Sequence, residues 1–162
     1  MLKNLFKKTT KREIIAPLSG QLVSLDQVPD PVFAEKMMGE GVAIIPTDGR
    51  VVAPVNGRII QIPQSKHAVG IEAEDGTEIL IHIGLETVRL KGQGFEELVK
   101  VNDQVKVGDP LLTVDLTFIE DQADSTITPV IITNSKSEMT YQFAPYTQVI
   151  AGKSPIITIV ER

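Results

Sequence analysis

The sequence predicts an all-β fold, an antiparallel β-sandwich or barrel-sandwich with internal pseudo-twofold repeats and short helical turns. Two repeats carry that prediction. "IIAPLSGQLVSL" (14–25) returns as "VVAPVNGRIIQI" (51–62): two β-branched residues, Ala-Pro, an apolar and a polar residue, Gly, then alternating apolar positions. "VKVGDPLLTV" (105–114) returns as "VIAGKSPIITI" (149–159) with one residue inserted. Each unit reads as short strand, Gly-centred turn, short strand, and so as a hairpin. Two kinds of hairpin, each present twice, give a sandwich or barrel its internal twofold. The ten prolines and twelve glycines mostly punctuate strands.

Taken in order, the chain opens on "MLKNLFKKTTKR", with five basic residues and no acid before Glu13. Two readings of residues 1–12 stand: a basic, flexible tail, or a weak amphipathic contact with anionic lipid. No long apolar region marks it as a secretory signal. Residues 13–162 then read as one domain. Asp30-Pro31 is a cap followed by a first-turn proline, predicting a short helix through "VFAEKMM" that stops at Gly39. Asp75-Gly76 predicts a two-residue hairpin loop. "GFEELVK" (94–100) places Phe95, Leu98 and Val99 on one helical face, and "DLTFIEDQAD" (115–124) predicts another helical turn or two.

Composition narrows the function. Hydrophobic residues make up 42% of the 162, enough for a core, and no apolar run is long enough to span a membrane. Cysteine is absent, which removes disulfides and thiolate metal sites and fits a reducing cytosol. A net charge of −5, two tyrosines and no tryptophan argue against nucleic-acid binding.

The chain has two histidines, His67 and His82, in "HAVGIEAEDGTEILIHIG". A two-residue loop at Asp75-Gly76 sets His82 opposite Val69 and His67 opposite Gly84, on one face. A three-residue loop would put the two histidines on opposite faces. Ile79, Ile81 and Ile83 share the other face and point to the core, while His82 shares its face with Leu80 and Glu78. A lone histidine there reads as a satisfied core residue, but a converging pair points to chemistry, because burying a polar nitrogen without a partner costs about 2–7 kcal/mol. Zinc hydrolysis would need a third ligand such as Glu86 or Asp30, and no H-E-x-x-H or H-x-H is present. No G-x-S-x-G elbow supports a nucleophilic triad. Phosphorylation of one imidazole with support from the other is the third option, in which the absence of a phosphate-binding loop would make the donor another protein rather than ATP. The residues alone do not choose among the three.

"GTEILIHIGLETV" followed by "LKGQGF" resembles the signature of the glucose-type enzyme IIA domains of the bacterial phosphoenolpyruvate:sugar phosphotransferase system. The likeness runs from "IIAPLSGQLVSL" through "VPDPVFAEKMMGEG", "KHAVGIE" and "VKVGD" to "STITPVIITN". The resemblance implies a cytoplasmic phosphoryl carrier that takes phosphate from phospho-HPr and passes it to an enzyme IIB domain for sugar uptake, with no cofactor. It implies His82 as phospho-acceptor through Nε2, its Nδ1–H held by a backbone carbonyl around Gly84. His67 would stabilise the phosphoryl group and Ser65, where the family usually has threonine, would orient His67. Asp30, Val32, Phe33, Met37, Met38, Leu80, Ile83, Glu86 and Val88 would form the partner-binding rim, with glutamate at 86 where aspartate is commoner. For Met37 and Met38, ordinary packing against a loop is the other reading. The family also includes a regulatory mode, in which the unphosphorylated form binds other proteins. A zinc ion shared by His67, His82 and a partner's carboxylate belongs to that mode. The resemblance also implies that the sugar would be chosen by the membrane component, so this sequence does not name it.

Overall fold

The computed structural model describes residues 11–161. The reading of the basic segment as tail or lipid contact falls on residues 1–10, outside the described residues. Lys11 and Arg12, assigned to that segment by the sequence, already belong to strand β1.

The strands are β1 (Lys11–Ile15), β2 (Gly20–Ser24), β3 (Glu40–Pro46), β4 (Arg50–Val52), β5 (Gly57–Gln61), β6 (Ala68–Ala73) and β7 (Glu78–His82). They continue as β8 (Phe95–Glu97), β9 (Gln104–Val105), β10 (Pro110–Val114), β11 (Thr128–Ile132), β12 (Met139–Phe143), β13 (Gln148–Val149) and β14 (Pro155–Glu161). Two short helices, α1 (Pro31–Ala34) and α2 (Leu116–Gln122), complete the set with 3-10 turns at Leu25–Gln27 and Val88–Leu90. An eight-stranded sheet, ordered β13-β2-β3-β11-β7-β6-β5-β9, faces two three-stranded sheets, β1-β14-β12 and β4-β10-β8. The pairs are antiparallel, so the predicted all-β sandwich is what forms.

The repeats are real, but they are not hairpins. β1 and β2 do not pair with each other: β1 joins β14, and β2 joins β3 and β13. In the second copy β4 joins β10, and β5 joins β6 and β9. Each Ala-Pro-x-x-Gly segment therefore carries the chain from a small sheet across to the large one. Hydrogen bonds mark the pseudo-twofold axis between the copies. Ile15 N–H donates to the Pro54 carbonyl at 2.9 Å, and the equivalent Val52 N–H donates to the Pro17 carbonyl at 2.8 Å. Gly152 N–H donates to the Ala16 carbonyl and Gly108 N–H to the Ala53 carbonyl, both at 2.9 Å. The glycine in the motif has a steric cause. A Cβ on Gly20 would lie 2.1 Å from the Ile45 carbonyl oxygen, and one on Gly57 would lie 2.2 Å from that of Glu72.

Strand parity divides the core. Val42, Ile44, Val130 and Ile132 point between the sheets and join Val69, Ile71, Ile79 and Ile81 in the main core. Their neighbours Ala43 and Ile131 point the other way, into a smaller cluster with Leu25, Val28, Phe33, Leu85 and Ile127 on the outer face of the large sheet. Helix α1 lies over that outer face. Asp30 caps it by accepting from Val32 N–H at 3.0 Å, and Pro31 fills its first turn, as predicted. The helix ends earlier than expected. Lys36 turns left-handed (φ 60°), and Met37 N–H reaches back to the Val32 carbonyl, closing the turn before Met38.

Helix α2 forms where predicted, capped by Asp115. Residues 94–100 do not form the expected helix: Phe95–Glu97 is strand β8, paired with β10. The edge of β10 offers a ladder to this segment, and that tertiary pairing overrides the helical spacing of Phe95, Leu98 and Val99.

Gly20→Ala and Gly57→Ala should each lower stability by about 1–3 kcal/mol, because the new Cβ meets rigid strand backbone. Urea unfolding tests this: both midpoints should fall, and an unchanged midpoint in either would contradict the paired crossings.

Candidate functional site

The site is set by how β6 and β7 are joined. Asp75-Gly76 is not a two-residue loop. Ala73 N–H donates to the Thr77 carbonyl at 2.8 Å and Gly76 N–H to the Ala73 carbonyl at 2.9 Å, with Gly76 left-handed at φ 92°. The loop has three residues, Glu74 to Gly76, the type that closes on a left-handed glycine. The ladder shifts by one accordingly. His82 lies opposite Ala68, not Val69, and Val69 lies opposite Ile81.

On that register, pleating alone would send His67 and His82 to opposite faces. They meet nonetheless. Their ring centroids are 4.9 Å apart at an interplanar angle of 79°. The reason is that His67 precedes the first strand residue and is free of the pleat. Lys66 before it is left-handed (φ 57°) and donates its N–H to the Pro63 carbonyl in a tight turn. The His67 carbonyl is still held, accepting from Ile83 N–H at 2.7 Å.

Beyond His82 the strand stops at Gly84, whose φ of 76° bends the chain back. The Gly84 carbonyl lies 2.9 Å from His82 Nδ1. A carbonyl only accepts, so Nδ1 carries the proton, and in the neutral ring Nε2 is left as a bare lone pair. Ser65 Oγ and His67 Nδ1 are hydrogen-bonded at 2.6 Å. The Phe33 ring packs at 5.0 Å from His82, centroid to centroid.

Both rings are driven toward the neutral form. His67 is pulled down to about 4, first by burial and then by the charge that His82 would carry. His82 is also lowered, chiefly by burial, against the Gly84 carbonyl, Asp30 and Glu86, which favour its protonated form. Among the described residues no cluster of three metal-type ligands forms, so the donor set of a hydrolytic zinc centre is not assembled.

The residues expected at the rim divide. Met37, Met38, Val32, Val88 and Glu86 are exposed, Met37 at 69%. Leu80 and Asp30 are half-buried. Phe33 is only 5% exposed and forms a wall beside His82 more than a rim. Ile83 is corrected outright. It is fully buried in the main core, because it continues the inward series of Ile79 and Ile81. Two residues outside the expected set are notable. Ile45 is exposed and shares the outward parity of Ala43, a signal available in the β3 pattern. Thr87 is fully buried, and nothing in the sequence distinguishes it from a surface threonine.

A β-sandwich that presents two neutral, converging histidines beside an apolar wall defines a class of protein able to hold a transferable group on an imidazole. The sequence model of the phosphoenolpyruvate-dependent sugar phosphotransferase system, EIIA 1 family, matches residues 12–138. A protein of Oceanobacillus iheyensis named PTS system glucose-specific EIIA component is 47% identical over 164 residues, covering 99% of each chain. One of the same name from Bacillus cereus is 54% identical over 138 residues, covering 83% of this chain and 84% of that one. The solved structure titled glucose permease IIA from Mycoplasma capricolum superposes with a TM-score of 0.87 at 38% identity, covering 92% of this chain and 96% of that one. The chain belongs to the EIIA 1 family and is a phosphotransferase component, a phosphoryl carrier in sugar uptake. Among the described residues no helix is long and apolar enough to cross a membrane.

Because both histidine pKa values are depressed on folding, the unfolded chain binds more protons below pH 6.5. Stability is therefore full above pH 6.5 and falls as pH drops from about 6.5 to about 4, the folded value of His67. In an NMR titration the His67 ring should stay neutral until near pH 4; protonation near 6.5 would contradict the burial that holds it down.

Proposed function

We propose that His82 is the phospho-acceptor, taking the phosphoryl group from the phosphohistidine of HPr and delivering it to a cysteine of an enzyme IIB domain. The observation that carries this reading is the 2.9 Å bond from His82 Nδ1–H to the Gly84 carbonyl, which leaves the Nε2 lone pair as the nucleophile. In the first step the N–P bond of HPr breaks as the Nε2–P bond forms, and the electron pair returns to the HPr imidazole. In the second, the cysteine sulfur attacks the same phosphorus and the pair returns to His82. Neutrality at pH 7 serves the first step, because a protonated Nε2 cannot attack; in the second step Nε2 is the leaving atom.

His67 is proposed to hold the phosphoryl oxygens. To donate from Nε2 it must carry its proton there, so the Ser65 hydroxyl donates to Nδ1. Serine meets that requirement at 2.6 Å despite lacking the methyl of the family's usual threonine. Adding a phosphoryl dianion beside His67 also reverses the sign of the electrostatic push it receives from a charged His82, drawing His67 toward the cation that binds phosphate best.

Val32, Met37, Met38, Val88 and Ile45 are exposed apolar side chains, and Val32 adjoins the Phe33 that packs on His82. That composition suits brief docking of two different proteins in turn, and thioether side chains adapt to both. The relatives carry glucose in their names, and we extend the same sugar system to this chain.

With phosphoenolpyruvate, enzyme I and HPr, the wild-type chain should gain one acid-labile phosphoryl group. His82→Ala should gain none, and a persisting label would sink the assignment. His67→Ala should accept phosphate but pass it to IIB at least tenfold more slowly, since it loses a charge-assisted hydrogen bond in the transfer step. Transfer at the wild-type rate would remove His67 from the mechanism.

A further inference from the structure

Among the described residues three polar side chains are buried: His67, Thr87 and Thr128. Thr128 bonds locally, to the Thr126 carbonyl. Thr87 reaches the turn that follows His82. Its Oγ1–H donates to the Ile83 carbonyl at 2.7 Å. The other polar group of Ile83, its N–H, donates to the His67 carbonyl. The Ile83 backbone is thus pinned from both sides, by Thr87 and by the backbone of the second histidine.

The consequence lies one peptide further on. The Ile83 carbonyl belongs to the Ile83–Gly84 peptide unit, and the next carbonyl is the one that accepts from His82. Fixing the first plane leaves Gly84, at φ 76°, to aim the second. Packing closes the space around that turn. A Cβ on Gly84 would lie 2.7 Å from Thr87 Cγ2 and 2.8 Å from the Ser125 carbonyl oxygen. Leu85 N–H donates to that same Ser125 carbonyl at 2.9 Å. Hydroxyl and methyl of Thr87 therefore hold different parts of one turn.

We infer that Thr87 is a positioning residue for phosphoryl transfer: its buried hydroxyl fixes the Ile83–Gly84 turn, which keeps His82 in the Nδ1–H form and the His67 backbone at its side. Thr87 touches no reacting atom. The inference rests on His82 being the acceptor. Without the hydroxyl the Ile83 carbonyl loses its buried donor, and rotation of the peptide toward another donor carries the Gly84 carbonyl with it.

Imidazole ¹⁵N spectra of the full chain, with rates of phosphoryl acceptance from phospho-HPr, test this in Thr87→Val and Thr87→Ser. In Thr87→Val the His82 ring should become a mixture of the two tautomers, and acceptance should slow by about tenfold, as for one lost hydrogen bond. Thr87→Ser keeps the hydroxyl, so it should keep the wild-type tautomer and rate even where loss of the methyl lowers the melting temperature. A wild-type spectrum and rate in Thr87→Val would overturn the inference. So would a mixed spectrum in Thr87→Ser, which remains decisive where the valine variant does not fold. The tautomer spectrum needs no phosphoryl transfer, so failure of the Thr87 role is distinct from a label that persists in His82→Ala.

Discussion

The hydrogen bond from His82 Nδ1–H to the Gly84 carbonyl is the constraint on which the site depends. A free imidazole exchanges its proton between two nitrogens, and only one arrangement leaves Nε2 with a free lone pair. The protein removes that ambiguity with a carbonyl two residues downstream, which cannot donate. For the carbonyl to face back on the ring, the chain must leave the strand within two residues. Gly84 supplies the left-handed bend, and Ile83, buried in the main core, anchors the residue before it. Burial of both rings completes the arrangement by disfavouring the protonated forms.

The sandwich explains why that turn can be rigid. Its two halves share one plan, down to reciprocal hydrogen bonds between Ile15 and Pro54 and between Val52 and Pro17. β7 and β11 pair at the centre of the eight-stranded sheet, so the strand that ends in His82 is flanked on both sides. A histidine on an edge strand would lack that support. The second, smaller core cluster then covers the outer face of the sheet with Phe33 and its neighbours. Phe33 of that cluster packs against the His82 ring. Rigid backbone beneath and adaptable surface around it are the two properties a carrier with successive partners requires.

Much of this was legible in the sequence, for physical reasons that can be named. The Ala-Pro-x-x-Gly repeats were visible because backbone crossings admit no Cβ, but the local pattern says nothing about which strands pair, and the expected hairpins proved to be crossings between sheets. The cap at Asp30 is encoded within three residues and was found where predicted. "GFEELVK" carries helical spacing, and only the distant edge of β10 decides for strand. A two-residue loop pairs His67 with His82 on a register that differs from the true one by one residue. The left-handed turn at Lys66 restores the contact that the true register would have lost. Resemblance places Ile83 on the rim and strand parity places it inside, and its burial in the main core follows parity. Thr87 was invisible, because burial of a single hydroxyl depends on contacts made by the whole fold.

The central claim is that one particular nitrogen, Nε2 of His82, is held ready for the phosphoryl group. The most direct test is a ¹⁵N spectrum of the phosphorylated chain, read for coupling to ³¹P. Coupling at His82 Nε2, with Nδ1 still protonated and bonded to the Gly84 carbonyl, is the expected result. Coupling at Nδ1 of His82, or at either nitrogen of His67, would contradict the account.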